Sequence, residues 1–251
     1  MKQNDYVTEI TEVYKKFYSN NKMCHHFESC SKNMERVKIK CDFATRIGCN
    51  YGQTKSIPKV MVLGQESVSE HRCHNEPVYS LEKASNEHYR KTLYTLAMIY
   101  EGIVPKGYSK LELQEYEKWL RYFCLTNYYK CAFSDECEKV NGLDHSKAMK
   151  DNCYKLLLDE IETLCPDLLL IQGKFITSKF ENALDVKFGQ GICLWQNKNK
   201  NASVAIYKRS FNNNDFYLIT SYHPSAYGYW ANTENDLKTA IDVFRREYYK
   251  K

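Results

Sequence analysis

The sequence has no apolar run long enough to cross a membrane as a helix. Its longest apolar stretch lies near Leu168–Gln172, whereas a membrane-spanning helix needs about 18 consecutive apolar residues. Residues 1–6 also lack the apolar core that a secretory signal peptide contains. We therefore expect a soluble, cytoplasmic protein with no membrane partner.

The sequence also lacks the features that divide a chain into domains. No internal repeat, low-complexity tract or linker rich in proline and glycine interrupts the 251 residues. A hydrophobic fraction of 43% is sufficient for a folded core, since chains of this size bury roughly 75% of their unfolded surface. We predict a single domain over residues 1–251, with an N-terminal cysteine-bearing segment at residues 1–58.

Neither sign of charge is in large excess, and the cysteines lack the tight Cys-x-x-Cys spacing. The 36 basic and 31 acidic residues leave a net charge of +5, which is compatible with a polyanionic partner but does not require one. The 11 cysteines are an odd number in a chain without a secretion signal. This usage favours metal ligands or buried thiols over a disulfide framework.

Apolar runs of strand length alternate with segments of helical periodicity. Unbroken apolar strands alternating with helices are typical of a mostly parallel sheet that is covered on both faces. The sequence therefore predicts an α/β fold with three layers, helix–sheet–helix. The predicted strands are 59–63, 122–126, 168–171, 204–207 and 216–220, and the predicted helices are 6–18, 86–100, 146–164, 175–184 and 233–249.

Polar residues follow the predicted strands, at the sheet edge where such folds bind ligands. Glu66, Asn127 and His223 come just after three different strands. Singly, each has an ordinary structural explanation: a carboxylate caps a helix, an asparagine forms a turn, and a histidine before proline supports a loop. Together, a carboxylate, an amide and an imidazole could position water, read a planar base and stabilise a departing anion.

Four ordered segments resemble the uracil-DNA glycosylase superfamily, over about residues 59–245. Val62-Leu-Gly-Gln-Glu66 resembles its water-activating motif, and Leu125-Thr-Asn-Tyr-Tyr-Lys-Cys131 is similar to the Thr-Asn-x-x-Lys-Cys segment of the iron–sulfur branch, the family 4/5 type. Tyr222-His-Pro-Ser-Ala226 matches the His-Pro-Ser motif, and residues 152–173 resemble the helix and strand between these motifs. The resemblance implies the fold of that superfamily.

The sequence departs from the family pattern in two places. Glu66 stands where the family has the aspartate of Gln-Asp-Pro, so the carboxylate reaches about one methylene further. Residues 104–120 are longer than the family needs and are expected to form an insertion, as an accessory loop at the DNA face or the pocket. Both departures leave the substrate open.

The resemblance implies a monofunctional DNA glycosylase, which flips a pyrimidine nucleotide out of the stack and leaves an abasic site. Asn127 and Gln65 would recognise the base, and Glu66 would orient the attacking water. His223 would donate a hydrogen bond to a base oxygen as negative charge develops there. Tyr79 would stack on the flipped base, although an ordinary core tyrosine is an equal alternative among 21 tyrosines.

The segment that contains the His-Pro-Ser motif is expected to contact the partner, single- or double-stranded DNA. The expected contacts are Ser225, Tyr227 and Tyr229. The two tyrosines lie where the family places a residue that wedges into the gap left by the base. Stacking of an aromatic ring on a base contributes about 1–3 kcal/mol.

The resemblance to the iron–sulfur branch also implies a [4Fe–4S] cluster. Cys131 and Cys153 match two of its cysteine ligands, and Cys24 and Cys30 are expected to complete the set. Cys41 and Cys49 are the alternative N-terminal pair. Zinc remains an alternative metal, and Cys153 could instead fill an apolar helix face.

The substrate and role stay open between several hypotheses. The excised base is uracil or a modified pyrimidine. One alternative is a phage-defence enzyme that removes glucosylated hydroxymethylcytosine from viral DNA. Two non-enzymatic alternatives are a catalytically inactive nucleic-acid-binding module of the same fold and a zinc or iron–sulfur scaffold protein. We expect a monomer.

Overall fold

The structure is a computed structural model. The described residues are 3–18, 25, 39–41, 45–64, 87–102, 116–128, 131–133, 147–173, 178–197, 204–211, 214–224 and 229–250. Their helices are α1 (Gln3–Phe17), α2 (Glu87–Glu101), α3 (Lys147–Leu164), α4 (Ser178–Phe188) and α5 (Tyr229–Tyr249). Their strands are β1 (Ile39–Cys41), β2 (Arg46–Ile47), β3 (Val60–Gly64), β4 (Phe123–Asn127), β5 (Cys131–Phe133), β6 (Leu168–Gln172), β7 (Ile192–Gln196), β8 (Ala205–Phe211) and β9 (Asn214–Ser221).

The main sheet has seven strands in the order β2-β4-β3-β6-β9-β8-β7. Its four central strands, β4, β3, β6 and β9, are parallel to one another, whereas β2, β8 and β7 pair antiparallel at the two sides. Every residue of β3, β4 and β6 is buried, as the apolar runs predicted. A separate ladder joins β1 to β5.

Two hydrophobic cores lie on the two faces of the sheet, because successive side chains of a strand point to opposite faces. Met61 and Leu63 of β3 pack in one core with residues of α1, α3 and α4. Val60 and Val62 pack in the other core with residues of α2 and α5. The predicted three-layer α/β fold is therefore confirmed.

All five predicted helices and all five predicted strands have a counterpart, with ends that differ by a few residues. The structure adds four short strands, β1, β2, β5 and β7, and a 3₁₀ helix at Glu117–Arg121. None of the described helices is long and apolar enough to span a membrane.

Candidate active site at the carboxyl edge of the sheet

The central parallel strands end together at one edge of the sheet. Gly64 of β3 is the register partner of Asn127 of β4, and Gln172 of β6 is the partner of Ser221 of β9. Backbone hydrogen bonds extend this alignment past the strands, since the Tyr128 amide donates to the Gly64 carbonyl at 2.9 Å. The strand ends thus form one continuous edge, the location that open α/β sheets use for ligands.

Asn127 lies at this edge with only 5% of its surface exposed. Its side chain passes directly over Gly64, because a Cβ atom added to Gly64 would lie 2.8 Å from Asn127 Oδ1. Such a separation is shorter than van der Waals contact allows, so residue 64 must lack a side chain for the amide to keep this position. Glycine here serves close packing at the site.

A buried polar network supports the end of β4 from the other face of the sheet. Thr126 donates a hydrogen bond to Glu160 Oε2 at 2.9 Å, and Tyr14 donates to Glu160 Oε1 at 2.5 Å. Thr45 donates through its hydroxyl to Thr126 at 2.8 Å and through its backbone amide to the Tyr14 hydroxyl at 2.6 Å. Because Glu160 is fully buried, this network fixes α1 and α3 to the strand that carries Asn127.

Burial and the adjacent carboxylate both act on the Tyr14 hydroxyl. Desolvation, followed by the negative charge of Glu160, raises the pKa of Tyr14 well above its usual value. The phenol therefore remains protonated and continues to donate to Glu160 throughout the neutral pH range.

His223 follows β9 by two residues and is partly buried. The next residue, Pro224, is buried, and its carbonyl oxygen accepts a 2.6 Å hydrogen bond from Nζ of Lys91. Lys91 belongs to α2 and is only 2% exposed. The turn that carries the imidazole is therefore attached to the helix that covers this face of the sheet.

The polar groups at the edge lie on the face that α2 covers. Gln172 continues the alternation that directs Leu168 and Leu170 toward this face, and its amide lies 3.3–3.4 Å from the Thr92 hydroxyl of α2. By the same alternation, Asn127 points to this face whereas Thr126 points to the opposite one. A base bound here would lie between the sheet edge and the start of α2.

Several predicted functional residues lie outside the described part of the chain. These are Gln65, Glu66, Tyr79, Ser225, Tyr227, Cys24 and Cys30. Tyr229 is the first residue of α5, and its side chain is not described. The structure brings Asn127 and His223 to the same edge of the sheet, and the role of every predicted site residue stays a prediction.

The cysteines predicted as metal ligands differ in how close the fold places them to Cys131. Cys41 of β1 is the register partner of Cys131 of β5 in an antiparallel pair. Cys153 is 8% exposed on α3. Among the residues whose side chains are described, no three His, Cys, Asp or Glu residues form a metal-binding group.

Cys49 lies at the opposite end of β4 from Asn127 and Cys131. Its neighbours Gly48 and Asn50 donate backbone hydrogen bonds to the carbonyls of Phe123 and Arg121, at the start of that strand. Its side chain is exposed. The register thus favours Cys41 over Cys49 as a ligand beside Cys131.

The predicted insertion begins and ends at the amino edge of the parallel strands, opposite the candidate site. It joins the end of α2 to the start of β4, and its described end is anchored there: Trp119 stacks on Tyr100 at 4.6 Å between ring centroids, and Lys118 pairs with Glu101 at 2.8 Å. Both contacts involve the last turn of α2, remote from Lys91. The described part of the insertion therefore adds nothing to the case for an enlarged pocket.

Sequence reasoning missed Lys91 and Thr92, which shape this edge of the sheet. It also missed the role of Gly64 in leaving space for the Asn127 side chain. Lysine is rarely buried, so Lys91 gave no sign of its position. Gly64 did carry a usable signal, because a glycine that ends a buried strand often marks close approach of another group.

The family model described as the uracil DNA glycosylase superfamily matches residues 51–245. This range contains Gly64, Lys91, Asn127 and His223, and it begins after Cys24, Cys30, Cys41 and Cys49. No curated protein matches the sequence.

Proposed function

Because the chain belongs to the uracil-DNA glycosylase superfamily, we propose that this DNA glycosylase is monofunctional and hydrolyses the N-glycosidic bond of a flipped-out pyrimidine. The observation that carries the proposal is the placement of Asn127 and His223 at one sheet edge, three strand positions apart. Adjacent strands are about 4.8 Å apart, so the two strand ends are separated by about 14 Å. That width accommodates a pyrimidine with one side chain at each side.

Asn127 is the proposed reader of the base. A side-chain amide carries both a donor and an acceptor, which matches the paired donor and acceptor on the edge of a pyrimidine. Its burial strengthens this selection, because a base that cannot pair with the amide leaves buried polar groups without partners. The orientation of the amide decides whether a uracil-like or a cytosine-like edge is accepted.

His223 and Glu66 are the proposed catalytic residues. The C1′–N bond breaks with both electrons going to the base, and His223 donates a hydrogen bond to the base oxygen where that charge accumulates. Glu66 stabilises the positive sugar and orients a water molecule, whose oxygen bonds to C1′ while its proton passes to the carboxylate. The products are the free base and an abasic site.

The proposed substrate is uracil or a modified pyrimidine. The alternative of a phage-defence enzyme acting on glucosylated hydroxymethylcytosine rests on the longer side chain of Glu66. A close-fitting uracil pocket excludes any substituent at the 5-position by steric clash, so the two substrates require different pockets.

Tyr79 and Gln65 are proposed to complete the base pocket, and Ser225, Tyr227 and Tyr229 to contact the DNA. These roles follow from the family motifs at the same positions. The aromatic residues would supply stacking, which binds bases with little sequence preference.

A [4Fe–4S] cluster is the proposed cofactor, and its role is to tie the N-terminal segment to the sheet. The donor set fits this group in part, because a cysteine of β1 faces a cysteine of β5 and thiolates are the ligands of such clusters. Cys131 and Cys153 would supply two ligands, with Cys41 favoured by its register and Cys24 or Cys30 as the remaining candidates.

Iron analysis of single variants tests this ligand set. Cys131→Ser is expected to lose the cluster, seen as loss of iron and of visible absorbance. Cys49→Ser is the matched control, because its remote position predicts full iron content. Cys41→Ser tests the assignment from strand register: loss of iron assigns Cys41 as a ligand beside Cys24 or Cys30, and full iron content returns the assignment to Cys24 and Cys30. Zinc in place of iron would contradict the cluster.

Base excision on labelled oligonucleotides tests the function. Single- and double-stranded substrates carry uracil, thymine, hydroxymethylcytosine or its glucosylated forms, and alkali reveals abasic sites. Cleavage at one base, reduced by about 10²-fold or more in Glu66→Gln and His223→Ala, is the expected result. Tight DNA binding without cleavage of any base would support the inactive binding module instead. Bound metal with neither activity would support the scaffold protein.

A further inference from the structure

Lys91 is a buried cation beside the proposed catalytic turn. Only 2% of its surface is exposed, and removing an ammonium group from water is unfavourable unless its surroundings compensate. Its Nζ donates to the Pro224 carbonyl at 2.6 Å, one residue beyond His223. The hydrogen bond to Pro224 is one interaction that offsets the free-energy cost of burying this ammonium group.

The helix that carries Lys91 holds the chain on both sides of residues 225–228. Lys91 contacts Pro224 before this segment, and Tyr94, one turn further along α2, donates to Glu234 after it at 2.6 Å. Glu234 also pairs with Lys238 at 2.8 Å. α2 thus forms one hydrogen bond with Pro224, before this segment, and one with Glu234, after it.

The two contacts of α2 differ in what they can affect. The Tyr94 bond reaches Glu234 of α5, which lies 11 residues after His223 in sequence. The Lys91 bond reaches Pro224, the residue next to His223. Only the second contact acts directly on the turn that carries the imidazole.

We propose that Lys91 is the positioning residue of the proposed glycosylase reaction: its buried ammonium fixes the His223–Pro224 turn, so that the imidazole meets the departing base in the correct geometry. The inference rests on the proposed function of His223.

Single-turnover excision and DNA affinity, measured together, test the proposal. Lys91→Met removes the charge and the donor but keeps most of the length of the side chain. We expect the excision rate to fall at least about tenfold, since a displacement of about 1 Å can cost 10²-fold. The dissociation constant for the same target-base oligonucleotide should stay within about threefold, because Lys91 acts on the transition state through His223. Lys91→Arg, which keeps charge and donor, should recover part of the rate.

Tyr94→Phe is the matched control, because it removes a buried hydrogen bond from the same helix without touching the turn. At equal melting temperature, a rate equal to that of wild type in Tyr94→Phe and a lower rate in Lys91→Met would support the proposal. Equal rates in both variants would overturn it. If Lys91→Met does not fold, Lys91→Gln takes its place: a neutral amide should also lower the rate, and a full rate would overturn the proposal. A wild-type protein that cleaves no base refutes the proposed function instead.

Discussion

Asn127 and His223 lie at the same edge of the sheet but are held in different ways. Asn127 is the last residue of a central strand, packed over Gly64 and backed by the network of Glu160. His223 lies in a turn after its strand, and the next residue, Pro224, accepts the hydrogen bond from Lys91. Asn127 is held within the sheet, whereas the turn that carries His223 is bonded to helix α2.

The difference matches the two tasks that we propose for these residues. A residue that reads a base must keep one orientation against competing bases, and packing on a rigid sheet provides this. A residue that assists bond breaking must meet a charge that appears only in the transition state, so its fine position matters most. The network of Glu160 therefore links the sheet side to stability, whereas substitutions at Gly64 or at the turn that carries His223 are expected to change activity alone.

The largest effect on the sheet side is expected from Glu160→Ala. The substitution removes the acceptor of Tyr14 and Thr126 from a fully buried site, and losing a charged hydrogen-bond partner there should cost about 3 kcal/mol of unfolding free energy. Urea unfolding measures the loss. Tyr14→Phe keeps the carboxylate and the second hydrogen bond, so its loss should be clearly smaller. Equal stability of Glu160→Ala and wild type would contradict the role of the network.

A smaller effect, confined to activity, is expected from Gly64→Ala. The added methyl group would lie 2.8 Å from Asn127 Oδ1, and the amide must move because it is the mobile end of a side chain. We expect excision to fall by about 10–100-fold, as for a reacting group displaced by about 1 Å, with little change in melting temperature. Wild-type excision would show that the position of the amide is not critical.

The smallest effect is expected from Tyr14→Phe at alkaline pH. The folded protein holds the pKa of Tyr14 well above its usual value, so the unfolded state loses this proton first. The stabilisation is complete below about pH 10 and decreases as the pH rises from there toward the folded-state pKa, by about 1.4 kcal/mol per pH unit. Urea unfolding between pH 9 and 11 should therefore show a shallower decline in Tyr14→Phe. Parallel curves for variant and wild type would contradict this assignment.

The central strands and the edge they form were predictable because their apolar runs are unbroken. Val60–Gly64 and Leu168–Gln172 are buried throughout. Their apolar sequences therefore identify them as buried strands and show where each strand ends. Asn127 and His223 follow directly as residues at strand ends. β7 was not predicted although Ile192–Trp195 is an apolar run; it is the last strand of the sheet, and its residues are exposed or half-buried.

Contacts between distant segments could not be predicted. The pairing of Cys41 with Cys131 depends on the register of two three-residue strands, far too short to show a period. Lys91 lies beside an apolar helix face, and nothing in its neighbours distinguishes a buried lysine from an exposed one. The location of the two ends of the insertion, opposite the candidate site, becomes known only once the positions of α2 and β4 in the fold are known.

The most direct test of the account is to separate binding from rate in Asn127→Ala and His223→Ala. On oligonucleotides carrying the excised base, Asn127→Ala should both weaken binding and slow single-turnover excision, because the amide contacts the base before and during reaction. His223→Ala should slow excision by about 10²-fold with a dissociation constant within about threefold of wild type. Excision at the wild-type rate by either variant would contradict the account.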